Sequence, residues 1–269
     1  MTERVTIRMS DGVADVRMNR PEKLNALDPE MFRALVEAGK ALSEDAALRA
    51  VVLSGEGRAF CAGLDFQSFQ ALADTQKQGS AGDLFHRTPD SPANNAQLPA
   101  YIWTTLPVPV IAAVHGVAFG GGLQIAMGAD IRFIAPDARM SVMEIKWGLV
   151  PDMSGTQTMR HLLPLDVLKE LTFTGRIVSG VEAKELGLAT HVSETPRESA
   201  MELAREIASK SPDAIRASKR LLNEAVLKSV EEGLRLEEAL QKTLIGKPNQ
   251  VEAVMANLEK RAPAFKDPQ

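Results

Sequence analysis

Apolar residues fall into short, separated runs through the first half of the chain and into long helical spacings towards its end. Val5 to Ile7 and Val13 to Met18 are β-prone stretches divided by Ser10-Asp11-Gly12, a turn signal that predicts a hairpin ended by Asn19-Arg20-Pro21. Asp28-Pro29-Glu30 supplies an N-cap followed by proline, and Met31, Leu35, Val36 and Leu42 recur at helical spacing, so a helix is predicted over 29–44. Ala50 to Ser54, bounded by Gly55 and Gly57, has the unbroken apolar form of a strand covered on both faces, and Val108 to Val114 repeats that form before His115-Gly116. Gly120-Gly121-Gly122 opens a helical pattern, and Ile131 to Ala135 and Met140 to Val142 read as further strands. Strand, turn and helix thus recur about every 50 to 60 residues, with no repeat sharp enough for a solenoid. Between them, Gln70 to Pro99 is polar and rich in Ala, Gly, Gln, Asp and Pro, the composition of a lid or loop.

The pattern changes after Pro151. Ser154-Gly155-Thr156-Gln157 has the form of a capping box, helices are predicted through Val167 to Leu171 and from Ser179 to Leu186, and Thr190 to Val192 reads as a short strand. From Glu198 to Arg261 apolar positions such as Leu203, Ile207, Leu221, Val226, Leu234, Val254 and Leu258 keep helical spacing. The expectation is an α/β fold with a core over 1–195 and a helical region over 196–269 suited to packing on a second subunit.

Composition narrows the function. The 269 residues are 45% hydrophobic and 25% charged, enough for a sizeable core and unlike a disordered chain. With 31 basic and 35 acidic side chains the net charge is −4, so no general positive field favours nucleic acid or an anionic membrane. The lone cysteine, Cys61, cannot form an internal bridge, and the charged first twenty residues lack a secretory core, which together point to the cytoplasm. Leu106 to Ala129 carries no charged residue and passes for a membrane span on hydropathy alone. Pro107, Pro109, His115, the glycines from 116 to 122 and Gln124 suit a buried strand, turn and helix better.

No phosphate-cradling glycine motif is present, and His86, His115, His161 and His191 lie at no metal-ligand spacing, so no metal is expected. Two glycine turns stand out instead, Cys61-Ala62-Gly63-Leu64-Asp65 and Phe119-Gly120-Gly121-Gly122-Leu123, each following a buried strand. Glycine lets a backbone N–H face outward, and two such groups aimed at one point form an oxyanion hole, where one lost donor costs about 10²–10³ in rate. Taken alone, such turns more often serve close packing.

The runs Asn19-Arg-Pro-Glu-Lys-Leu-Asn-Ala-Leu27, Arg58-Ala-Phe-Cys-Ala-Gly-Leu-Asp65, Pro109 to Gly122 and Gly148-Leu-Val-Pro-Asp-Met-Ser-Gly-Thr-Gln157 resemble, in order and spacing, the crotonase (enoyl-CoA hydratase/isomerase) superfamily. The resemblance extends to Leu258 to Phe265, nearly the whole chain. It implies a spiral of ββα units with C-terminal helices used in trimerisation, as a homotrimer or a dimer of trimers. It implies an acyl-CoA substrate, with coenzyme A arriving as part of the thioester and no permanently bound cofactor. The two enolate-stabilising amides then fall on Leu64 and Gly121.

The same resemblance assigns the carboxylates. Of the two glutamates of family hydratases, Glu144 is retained and Gln124 stands at the other position. Glutamine hydrogen-bonds a water but takes no proton at neutral pH. Asp152, eight residues after Glu144, resembles the arrangement in dienoyl-CoA isomerases. The leading expectation is therefore an acid/base pair of Glu144 and Asp152 that moves a double bond, although Asp152 also suits a turn before Ser154. The near alternative is a hydratase using Glu144 with a water held by Gln124; the distant one is a non-catalytic or RNA-binding relative, disfavoured by the acidic balance. Further substrate contacts fall on Lys23 and Lys260 for the CoA phosphates, Ala62, Asp65 and Gly120 beside the amides, and Trp147 either at the acyl pocket or in the core. Asp65 suits a loop brace, and Cys61 a small packed residue.

Overall fold

The computed structural model describes residues 3–66, 84–89 and 91–268. Strands β1 (Val5–Ser10) and β2 (Val13–Met18) form the predicted hairpin, with Ser10 opposite Val13. Helix α1 (Pro29–Glu44) begins where expected, because the Asp28 side chain accepts from the Met31 amide at 2.8 Å. It returns the chain to β3 (Ala50–Gly55), parallel to β2 with Val13 opposite Ala50. Helix α2 (Leu98–Thr105) leads into β4 (Val110–Val114), then β5 (Val117–Phe119) and α3 (Gly121–Met127). Next come β6 (Ile131–Ile134), β7 (Arg139–Ser141), α4 (Gly155–Met159) and α5 (Leu165–Thr174). Finally β8 (Val178–Ser179), α6 (Gly180–Leu186) and β9 (His191–Val192) precede α7 (Pro196–Ala208), α8 (Pro212–Ala225), α9 (Val230–Leu244) and α10 (Pro248–Glu259).

Six strands make one sheet in the order β1-β2-β3-β4-β6-β9, parallel except for β1, and β5-β7-β8 make a second. Leu27, Met31, Leu35, Phe60, Trp103, Leu123 and Ile125 fill one core cluster. On the other face Val13, Ala50, Val52, Ile111 and Ala113 pack against Ala200 and Ala204 of α7. Coverage of both faces explains the unbroken apolar runs in β3 and β4. Lys219 on α8 is buried and joins that helix to the chain entering β4. Its Nζ donates to the Val108 carbonyl at 2.9 Å and pairs with Asp130 at 2.8 Å.

Leu106 to Ala129 divides into β4, β5 and α3, and among the described residues no helix is long and apolar enough to cross a membrane. The stretch read as a lid, Gln70 to Pro99, lies mostly outside the described residues. Three elements went unread in the sequence, α2, β5 and the two-residue β8. The first buries only Pro99, Ala100 and Trp103, too few to show a period, and the second is three residues held by backbone pairing to β7. The capping box at Ser154 is absent. Ser154 has φ of +67°, outside the extended region a capping residue needs, and its hydroxyl makes no cap hydrogen bond.

Asn25 fixes the loop that carries the first glycine turn. It is fully buried; its Nδ2 donates to the carbonyls of Glu56 and Ala59 at 2.9 and 2.8 Å, and its Oδ1 accepts from the Arg20 amide at 2.8 Å. Asn25→Ala strands those three backbone groups and is expected to cost about 2–4 kcal/mol of stability. A thermal midpoint within a degree or so of the wild type would contradict this.

Candidate active site

The first glycine turn is held by main-chain bonds on both sides. Leu27 donates to the Gly63 carbonyl at 2.8 Å and accepts from the Asp65 amide at 3.0 Å, so the N–H of Leu64, between them, faces away from Leu27. On the other side Cys61 donates to Val117 at 3.0 Å and accepts from Phe119 at 3.1 Å, joining this turn to β5 and the second glycine turn. Gly63 has φ of +86°, and a Cβ there would lie 2.6 Å from the Phe119 carbonyl oxygen and 3.8 Å from the Gly121 amide. The two turns therefore meet backbone to backbone. Among the described residues the amides of Leu64 and Gly121 have no protein acceptor.

A buried carboxyl lies against the second turn. Glu144 begins a 3-10 turn over Glu144–Trp147, and a Cβ on Gly120 would lie 3.3 Å from Glu144 Oε1. Gln124, on the first full turn of α3 and 1% exposed, donates from Nε2 to that same oxygen at 2.6 Å. The Gln124 carbonyl oxygen accepts from the amides of Met153 and Gly155 at 2.8 and 3.0 Å. Glu144 Oε2 is buried with no hydrogen-bond partner. Burial pushes the Glu144 carboxyl above the usual range; its own backbone and Gln124 oppose the rise, and the charge of Asp152 adds to it. Asp152 is exposed, yet the atoms crowding its carboxyl also push it above the usual range by desolvation.

The structure thus brings together Leu64, Gly120, Gly121, Gln124 and Glu144, with Asp152 within electrostatic reach. Ala62 is tied to the strap before it, its amide donating to Leu24 at 2.9 Å. Asp65 is buried and pairs with Arg20 Nη1 at 2.6 Å, which makes it a brace for the turn. Cys61 is buried with its thiol pushed up to about 12 by desolvation, the state of an inert packed residue. Trp147 is 45% exposed with the Lys146 ammonium over its ring, so it is not a core residue. Lys23 and Lys260 are exposed at the ends of their helical turns. The water-holding role expected of Gln124 meets a carboxamide already engaged by Glu144 and the 153–155 turn.

Two contributors were missed. Met153 and Leu27 both press on Gly121, where a Cβ would lie 2.6 Å from the Met153 sulfur and 3.0 Å from Leu27 Cδ1. Nothing in the local pattern of either residue signals that contact. Among the described residues no group of three or more His, Cys, Asp or Glu side chains could hold a metal ion.

Residues 8–268 match the family model described as Enoyl-CoA hydratase/isomerase. The mouse mitochondrial methylglutaconyl-CoA hydratase is 33% identical over 262 residues, covering 95% of this chain and 80% of that protein. Mouse enoyl-CoA hydratase domain-containing protein 2, also mitochondrial, is 33% identical over 95% of this chain and 85% of its own length. The crystal structure of an enoyl-CoA hydratase from Bacillus anthracis superposes with a TM-score of 0.88 at 29% identity, over 98% of this chain and 99% of that one.

The state of Glu144 sets a pH signature. Because its folded-state proton affinity is raised, the folded protein binds that proton more tightly than the unfolded chain. Its contribution to stability is fully present below the ordinary glutamate range and is lost as pH rises through the folded value. Glu144→Gln is therefore expected to melt higher than the wild type at neutral pH, with the gap closing under acid. A gap that stays constant across pH would refute the assigned burial effect.

Proposed function

The chain belongs to the enoyl-CoA hydratase/isomerase family, and from that premise we propose that it moves a double bond within an enoyl- or dienoyl-CoA chain. The observation that carries this reading is the unpartnered, buried Oε2 of Glu144 beside the turn that presents the free Gly121 amide. In the proposed step the thioester oxygen takes hydrogen bonds from the N–H groups of Leu64 and Gly121. Glu144 Oε2 removes a proton from the saturated carbon next to the thioester carbonyl, and the electron pair moves onto that oxygen as an enolate. Asp152, protonated in the loaded site, returns a proton to a carbon further along the chain, and the double bond re-forms in its new place. Substrate and product then have the same composition. Desolvation supports both carboxyls in these roles, because each is held nearer the pH at which it can take and give a proton.

A second reading, addition of water to a 2-enoyl-CoA with Glu144 as base, is favoured by the names of the hydratase relatives. The engaged carboxamide of Gln124 weighs against the version in which that residue holds the water. Lys23 and Lys260 are assigned to the CoA phosphates, and Trp147 to the rim of the acyl pocket. The lone thiol suits a reducing compartment, and we assign the cytoplasm.

We also assign a homotrimer or a dimer of trimers. Leu222, Val226, Leu227, Val230 and Leu234 of α8, α9 and their connection are all more than half exposed, Val230 at 82%. Apolar surface of that extent supports a protein partner over solvent. Sedimentation is expected to give three or six chains, and Val230→Asp to give a smaller species; a wild-type monomer would defeat the assignment.

A screen of 2-enoyl- and 3,5-dienoyl-CoA thioesters read by mass and ultraviolet absorbance separates the two chemistries, since hydration changes mass and bond migration does not. Glu144→Gln is expected to lose about 10²–10⁴ in turnover on either reaction. Unimpaired isomerisation in Asp152→Asn would remove Asp152 from the mechanism.

A further inference from the structure

Glu144 leads a 3-10 turn, and its backbone alone does not determine where its carboxyl points. Gln124 does. The two lone pairs of the Gln124 carbonyl oxygen are taken by the amides of Met153 and Gly155, and one N–H is directed at Glu144 Oε1. This fixes the sense of the carboxamide, since a flipped group would set its NH2 against two backbone donors. The contact is also tight: a Cβ on Gly155 would lie 2.7 Å from Gln124 Cγ. One Glu144 oxygen is therefore held, and the other, Oε2, is the one buried without a partner.

We propose that Gln124 is a positioning residue, whose carboxamide locks the Glu144 carboxyl to the turn carrying Asp152 and thereby selects Oε2 as the oxygen that carries the proton. The inference rests on the reading of Glu144 as the proton carrier. An ionised glutamate at 124 could not do the same, because two carboxylates at that separation do not both ionise and neither could donate to the other. A neutral glutamic acid could: its O–H would donate to Glu144 and its carbonyl would accept from both backbone amides. The same geometry thus gives opposite pH signatures to two substitutions.

The test compares Gln124→Met, Gln124→Glu and Glu144→Gln with the wild type, measuring kcat and KM across pH on 2-enoyl-CoA and 3,5-dienoyl-CoA thioesters. Gln124→Met keeps the chain length and removes all three hydrogen bonds. Its kcat is expected to fall about 10- to 100-fold with KM little changed, because the reacting oxygen is misplaced and not the substrate. Its acidic limb is expected to move upward by about one pH unit, because the donor that favoured ionised Glu144 is gone. Gln124→Glu is expected to work while the pair shares one proton and to fall off as that proton leaves with rising pH, which makes its basic limb one proton steeper than the limb Asp152 gives the wild type.

A wild-type pH profile and kcat in Gln124→Met overturns the proposal. Should that variant fail to fold, Gln124→Glu decides alone, and a basic limb no steeper than that of the wild type is then the overturning result. Full turnover by Glu144→Gln would overturn the proposed function and this inference with it. A dead Glu144→Gln beside a wild-type-like Gln124→Met overturns the positioning role only.

Discussion

Two stretches of main chain lie closer together at this site than side chains would permit, and the remaining features depend on that approach. The Cys61 strand is bonded to β5 through Val117 and Phe119, and Gly63 and Gly122 sit where any Cβ would collide with the carbonyls of Phe119 and Cys61. Because backbone holds backbone, the directions of the Leu64 and Gly121 amides depend on no rotamer. Donors held in this way need no reorganisation when charge develops against them, which is why oxyanion holes in general have a large effect on rate. Asn25 and the Arg20–Asp65 pair secure the strap from below. The leucine at 64 is therefore compatible with the role, since only its N–H is in use.

The carboxyl is supplied under a different constraint. Glu144 is 8% exposed and sits among groups that disfavour its charge, a conflict between stability and chemistry that soluble folds tolerate only where it serves something. One oxygen is compensated by Gln124 and the other is left bare. A bare buried acceptor costs about 1–3 kcal/mol, a sum the rest of the core offsets through fully covered strands. The penalty falls on the atom proposed to meet substrate.

How much of this was legible in the sequence follows from the range of each interaction. The hairpin turn, α1, β3 and β4 were read within a residue or two, because turn chemistry, the Asp28 cap and burial on both faces each write a local pattern, whereas β1 runs three residues past its expected end. The amide positions were legible through glycine and through family resemblance, and Glu144 through resemblance alone. What escaped is non-local. The contacts of Met153 and Leu27 with Gly121 join residues far apart in sequence, and α2 buries too few side chains to show a period. Ser154 misled because Ser-x-x-Gln is a capping signature only when the serine is extended, and here the turn before it imposes a left-handed backbone. Gln124 was read as a partner for water because its residue type allows that; its real partners come from a turn about thirty residues on, which no local pattern reveals.

The division between a backbone site and a side-chain site explains why fold likeness leaves the reaction open. In the proposed site any thioester whose oxygen reaches the two amides would gain the same enolate stabilisation, so the amides would set the class of substrate. On the proposed reading the fate of the enolate depends on which carbons lie near a proton donor, and the pairing of a buried Glu144 with an exposed Asp152 would set that. A carboxyl on an exposed residue and one on a buried residue differ in how readily each exchanges its proton with water. That asymmetry suits a relay in which one group removes and the other returns, whereas two equally buried glutamates would suit holding a single water between them. On that reading the chemistry turns on the segment 152–155 and on the carboxamide that fastens it.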